Sequence, residues 1–149
     1  MSLKLEHRLG IQAPPEAIWA VLFDIPGWAR WNPLYPEASG QVRIGSKLTL
    51  KLTLDGREPQ IITPTIIDWV PNEQIHWSLK MLGGLVKSTR YLEIEALGET
   101  GCIFSNGELF EGALGPSIAK RLREPIRAGF AAMGEAVKAE VARTWRAPT

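Results

Sequence analysis

Two hydrophobic periods divide this chain. Near the start, Leu3, Leu5, His7, Leu9 and Ile11 alternate with Lys4, Glu6, Arg8 and Gly10, the period-two pattern of a half-buried strand. Ala13 to Pro15 interrupt it, and residues 16–23 place Ile18, Trp19 and Leu22 at helical spacing behind a proline, which predicts a short helix. Asp24, Pro26 and Gly27 close that helix. Residues 28–32 allow a further turn or two before Pro33 and Pro36 impose extended backbone. Strand patterns then return. Leu48, Leu50, Leu52 and Leu54 alternate with polar residues up to an Asp55-Gly56 hairpin signal. Residues 60–70 are β-rich but broken by Pro64, which points to an edge or bulged strand. Ile75, Trp77, Leu79 and Met81 form one apolar face, Gly83-Gly84 turns the chain, and Leu92 and Ile94 form the next, so these two strands are expected to pair. A last strand, 102–111, carries Phe104, Asn106, Glu108 and Phe110 on one side.

The second period appears only at the end. From 114 to 145, Leu122, Ile126, Phe130, Met133, Val137 and Val141 fall within an arc of roughly 100°, the width of a core-facing stripe. Lys120, Glu124, Glu135 and Lys138 lie opposite. This predicts one helix over 116–145, opened by Gly115-Pro116 and bent at Pro125. Gly129 and Gly134 inside it call for a close neighbour or a cavity. The order of strand, two short helices, consecutive antiparallel strands and a long helix gives an α+β chain of two layers. A curved sheet around the helix would cover the stripe and leave a gap where a ligand fits.

With 149 residues the chain suits a single domain, 1–149, and 45% hydrophobic with 22% charged residues is ordinary globular composition. Seventeen basic against sixteen acidic side chains, a net charge of +1, give no overall electrostatic case for nucleic acid or an anionic membrane, though local patches remain open. One cysteine, Cys102, and no charged-then-apolar leader make the cytoplasm the expected compartment. No apolar run reaches the roughly 20 residues of an integral membrane segment.

Six tryptophans alter that plain picture, since such side chains line cores and pockets alike. Trp28, Trp31, Trp77, Phe110, Phe130 and Met133, with Leu79 beside Trp77, would wall a pocket for an aromatic or lipid-like molecule, or would equally serve as plain core. Glu108 and Asn106 enter the same space if the Phe104 face turns inward, and a carboxyl there would hold its proton more tightly and could exchange it with a substrate. Arg90 shares parity with Leu92 and Ile94 and would partner Glu108 or hold an acidic ligand. A one-residue slip would instead turn Ile103, Ser105, Gly107 and Leu109 inward. His7 and His76 lack metal-site spacing; His7 reads as a satisfied core residue and His76 as solvated. Ser105 and Cys102 show no activating neighbour, and no helix follows Gly83, Gly84 or Gly98 to make a phosphate loop. No metal or cofactor is expected.

The run Ile11-Gln12-Ala13-Pro14-Pro15-Glu16-Ala17-Ile18-Trp19-Ala20-Val21-Leu22-Phe23-Asp24, followed by Pro26, Trp28, Trp31, Asn32 and Pro33, resembles the N-terminal signature of the START-like (SRPBCC) superfamily. The Pro71-Asn72-Glu73 turn, the Trp77 strand, Glu108-Leu109-Phe110-Glu111-Gly112 and the final helix extend the likeness over the whole chain. The resemblance implies the helix-grip fold of birch-pollen-allergen-like proteins and a hydrophobic cavity between sheet and helix. It implies a carrier of small hydrophobic molecules, a polyketide cyclase/dehydrase-type enzyme, or a co-chaperone-like module, and transfers no invariant catalytic residue.

Overall fold

In a computed structural model describing residues 2–146, the first strand, β1 (Leu3–Ile11), follows the alternating pattern, with Leu5 and Ile11 buried. Helix α1 (Pro15–Phe23) starts on its proline and buries Ile18, Val21 and Leu22, and a 3-10 turn spans Ile25–Arg30. Strands β2 (Ala38–Ser39), β3 (Thr49–Leu52) and β4 (Gln60–Ile62) form a small antiparallel sheet in that order. Strands β5 (Thr65–Val70), β6 (Gln74–Met81), β7 (Val86–Gly98) and β8 (Gly101–Glu111) join β1 in a larger one, ordered β1-β8-β7-β6-β5. Pro64 marks the point where the chain leaves one sheet for the other. β5 is an edge strand with a register shift between Ile66 and Asp68, as a proline-interrupted run suggests. β6 pairs with β7 so that Trp77 faces Arg90. The architecture is the helix-grip one, with the large sheet folded about the C-terminal helical segment.

That segment departs from expectation. It is two helices, α2 (Gly115–Arg121) and α3 (Arg123–Thr144), separated at Leu122, where φ is −102° and ψ 13°. Pro125 cannot donate to the Arg121 carbonyl and its ring crowds that oxygen. The helix therefore restarts early, leaving Pro125 in the first turn of α3, where an N–H has no helical partner in any case. The break sits at Leu122 rather than at Pro125. Past it, the expected stripe holds: Ile126, Phe130, Met133, Val137 and Val141 are buried, and Glu124, Glu135 and Lys138 are exposed.

Both helix glycines have close neighbours. A Cβ at Gly134 would lie 3.0 Å from His7 Nδ1 and from Leu9 Cδ2, and one at Gly129 would lie 2.9 Å from Leu34 Cδ1. Their absence of side chain lets α3 rest directly on β1 and on the loop before β2. His7 is not satisfied as its sequence position suggested: Nδ1 is buried against the helix with no hydrogen-bond partner among the described residues. His76 lies on the outer face of the sheet and meets Glu93 at 2.8 Å, half-buried rather than freely solvated. Replacing Gly134 by valine is expected to push α3 off β1 and to cost about 2 kcal/mol of stability, the usual penalty for overpacking, read from urea unfolding.

Candidate functional site

The two sheets and the helices enclose a cavity of about 480 Å³, within the range of small-molecule sites. β6, β7 and β8 contribute Trp77, Leu79, Met81, Ser88, Glu108 and Phe110, and the helices contribute Ile118, Leu122, Ile126 and Phe130. The third wall is the β3–β4 hairpin, through Leu52, Leu54, Ile62 and the exposed tip residues Gly56, Arg57, Glu58 and Gln60. The walls are mostly apolar. Charged and polar groups gather at two places, the hairpin tip and a patch made by Tyr35, Ser88 and Glu108.

Behind that patch lies Arg90, 1% exposed. Its five N–H groups are all engaged. Nε donates to the Tyr35 hydroxyl at 3.0 Å, Nη1 to the Tyr91 and Gly107 carbonyls at 3.1 Å each, and Nη2 to Asn106 Oδ1 at 3.0 Å and to Met133 Sδ at 3.4 Å. Its Cζ lies 4.2 Å from the centroid of the Phe130 ring and 5.8 Å from those of Tyr35 and Trp77, so ring faces supplement the hydrogen bonds. Among the described residues no carboxylate forms an ion pair with it. With its donors spent, Arg90 holds other residues in place and has no N–H left for an acidic ligand.

Tyr35 is the group it holds most directly. Asn32 Oδ1 accepts from the Leu34 and Tyr35 backbone N–H groups at 3.0 and 3.1 Å, a local turn that sets where the ring leaves the chain. Trp28 stacks on Tyr35 with centroids 5.8 Å apart. Burial pushes the phenol above its ordinary pKa even though Arg90 pulls the other way. Tyr35 is therefore a neutral donor whose oxygen already accepts from Arg90 and whose own proton is free. Burial likewise raises the Glu108 carboxyl, opposed by the Arg90 charge and by a hydrogen bond from the Ser88 hydroxyl. A neutral donor thus stands near a carboxyl that burial makes hold its proton more tightly than usual.

The inward face of β8 carries Phe104, Asn106, Glu108 and Phe110, the first of the two registers open from the sequence. Trp77, Leu79, Glu108, Phe110 and Phe130 line the cavity. Trp28, Trp31, Arg90, Asn106 and Met133 do not. Trp28 is fully buried and donates to the Leu22 carbonyl at 3.1 Å, Trp31 packs on it from the surface side, and Asn106 donates to the Phe130 carbonyl at 3.1 Å, tying β8 to α3. Cys102 is buried, donates its thiol to the Ala13 carbonyl and has its pKa raised by burial, which leaves it unreactive. Sequence reasoning missed Tyr35, Ser88 and the hairpin wall. Ser88 was within reach, because it shares strand parity with Arg90; Tyr35 sits in an aperiodic, proline-flanked loop that carries no such signal.

The sequence pattern of one family, described as polyketide cyclase/dehydrase and lipid transport, matches residues 2–147. The chain belongs to that family. No curated protein matches this chain by sequence. Solved structures are similar in fold. An aromatase/cyclase, Zhui, from a Streptomyces species superposes with a TM-score of 0.79 at 18% identity, covering 99% of this chain and 98% of that one. Norcoclaurine synthase from Thalictrum flavum, solved with dopamine and hydroxybenzaldehyde, gives 0.74 at 17%, covering 99% and 90%. A START superfamily protein from Mycobacterium smegmatis gives 0.73 at 18%, covering 95% and 99%. At these identities the likeness establishes the fold. Among the described residues no helix is long and apolar enough to cross a membrane.

The raised Glu108 carboxyl makes stability depend on pH. Above the ordinary value of 4.5 the unfolded chain has released this proton while the folded chain still holds it, so the native state binds more protons and stability falls as pH rises through that window. Below it both states are protonated, so the slope is zero and the full stability is present. In Glu108→Gln that part of the slope is expected to disappear, measured as the difference between the two proteins' urea unfolding free energies across pH.

Proposed function

We propose that the protein binds a small, mostly apolar or aromatic molecule in the cavity, with one polar group of that molecule turned toward Tyr35 and Glu108. The observation that carries this reading is the enclosed volume itself, apolar on three sides with its inner polar groups confined to one patch. Burial of the ligand's apolar surface supplies the affinity, at about 25 cal/mol per Å² before ordering costs. The Tyr35 hydroxyl donates to the polar group, and Glu108 accepts from it or, when protonated, donates to it. A ligand hydroxyl satisfies both. A module acting only through its surface would need no such cavity, and the open interior supports the binding reading over it.

Trp77 forms part of the wall, so entry of a naphthol is expected to quench tryptophan fluorescence. Leu79→Trp should fill the space and weaken binding by more than tenfold, because a ring takes the ligand's volume, while circular dichroism stays unchanged. Equal naphthol affinity in the two proteins would sink the cavity reading.

A second reading has an observation of its own in the Glu108 carboxyl, which stands on the cavity wall and is raised by burial above its ordinary value. An enzyme of polyketide cyclase/dehydrase type would fold a reactive chain in this cavity and move a proton through that carboxyl, with Tyr35 hydrogen-bonded to a developing oxyanion. The similar fold of the Streptomyces aromatase/cyclase supports it. Glu108→Gln separates the two: a carrier keeps its naphthol affinity within about threefold, whereas for an enzyme the same variant binds substrate yet loses turnover by 10²-fold or more, followed by product formation from a poly-β-ketone chain.

A further inference from the structure

The end of the molecule beside the cavity carries features that neither ligand binding nor proton transfer uses. The 3-10 turn Leu82–Gly84, with Leu85 after it, and the connection from β8 to α2 are tied together by the Leu114 N–H, which donates to the Leu85 carbonyl at 2.9 Å. These two turn tips expose Leu82 by 61%, Leu85 by 47% and Leu114 by 40%. Leu82 is held at φ +54°, a left-handed conformation that is strained for a leucine and that folds keep where it serves a purpose. Next to them are lining residues of the cavity: Met81 precedes Leu82, and Ile118 lies one helical turn beyond Leu114.

Lysines flank the first of these turns, and two further cations stand at the far end of α2. Lys80 and Lys87 are direct cross-strand partners on β6 and β7, and like charges in that position are destabilising. Lys120 and Arg121 are exposed at the end of α2. Among the described residues none of these four cations forms an ion pair; Glu111, the partner of Lys87 on β8, is the one acid in register with them. In a chain with a net charge of only +1, two lysines thus flank the exposed leucines of the Leu82–Leu85 turn.

We propose that this end docks on the surface of an anionic lipid bilayer, the leucine tips entering the headgroup layer and the cations meeting lipid phosphates. Aliphatic side chains on turn tips flanked by lysines are the arrangement that favours such a surface. An acidic protein partner would be expected to find aromatic anchors and a broader flat face. Docking here would present the Met81 and Ile118 side of the cavity to the membrane, a short route for a poorly soluble guest. The inference stands independently of the ligand reading, since docking needs no guest.

Co-sedimentation with vesicles tests it. The protein is expected to bind vesicles in which about a third of the lipid is phosphatidylglycerol and to ignore pure phosphatidylcholine, with binding lost as salt is raised. Lys80→Gln with Lys87→Gln, and separately Leu82→Asn with Leu114→Ser, should each cut binding by about tenfold. Asparagine is chosen at 82 because it tolerates the left-handed backbone. Lys138→Gln, on α3 beside Gly10 and Gln12, should leave binding intact. Circular dichroism and naphthol affinity unchanged in all variants show that they are folded. Absence of vesicle binding, binding indifferent to lipid charge, leucine variants that bind like the parent, or capture of an acidic protein without vesicles would each overturn it.

Discussion

A guanidinium buried in an aromatic interior is the constraint on which the rest of this structure depends. Taking an arginine out of water costs several kcal/mol unless every donor is met, and Arg90 meets its five by drawing together parts of the chain far apart in sequence: Tyr35 from the loop before β2, Asn106 and Gly107 from β8, and Met133 from α3. The rings of Phe130, Trp77 and Tyr35 close around it. The same contacts that satisfy the charge also set the depth of α3 in the sheet and fix the phenol at the cavity wall. A network of this kind is rigid because any partial version of it leaves a buried charge unmet.

The charge also governs the chemistry of the site without touching a ligand. Glu108 lies within its field yet outside ion-pair distance, so burial and attraction oppose each other and burial prevails. A carboxylate in direct contact with Arg90 would be locked in its ionised form. Displaced from it and hydrogen-bonded to Ser88, the carboxyl holds its proton more tightly than an exposed one, which suits a proton donor. Tyr35 differs in that burial keeps it neutral and the arginine bond orients it. Two groups with separate roles thus arise from one buried cation.

Around this core the cavity is left open by backbone placement. Pro64 stands where the chain passes from the small sheet into the large one, so the β3–β4 hairpin forms a third wall joined to β5 through residues 45–48. The break at Leu122 lets α2 take its own direction over β8, with Ile118 and Leu122 lining the space. Gly129 and Gly134 allow α3 close contact at the loop before β2 and at β1, while Ile126 and Phe130, between them on the helix surface, line the void. Close approach on both flanks and volume in front come from a single helix whose large residues lie between two glycines.

Local pattern alone determined the broad order of strands and helices, the pairing of β6 with β7 and the inward stripe of the last helix. Each of these depends on burial along one segment, and periodicity records burial. The run 60–70, expected as one edge or bulged strand, is two strands in different sheets, of which β5 is the edge. Family membership was also legible, because the run through Trp31 and Asn32 is contiguous. Tertiary structure decided what happens where segments meet. It moved the helix break from Pro125 to Leu122, because the restart depends on where a donorless residue fits a first turn. It placed Trp28, Trp31, Asn106 and Met133 behind the wall and brought Tyr35 and Ser88 onto it. It turned Arg90 from a prospective ligand contact into a fully occupied anchor. Parity states which face a side chain occupies; only the packed chain determines how many of its donors that face has already satisfied.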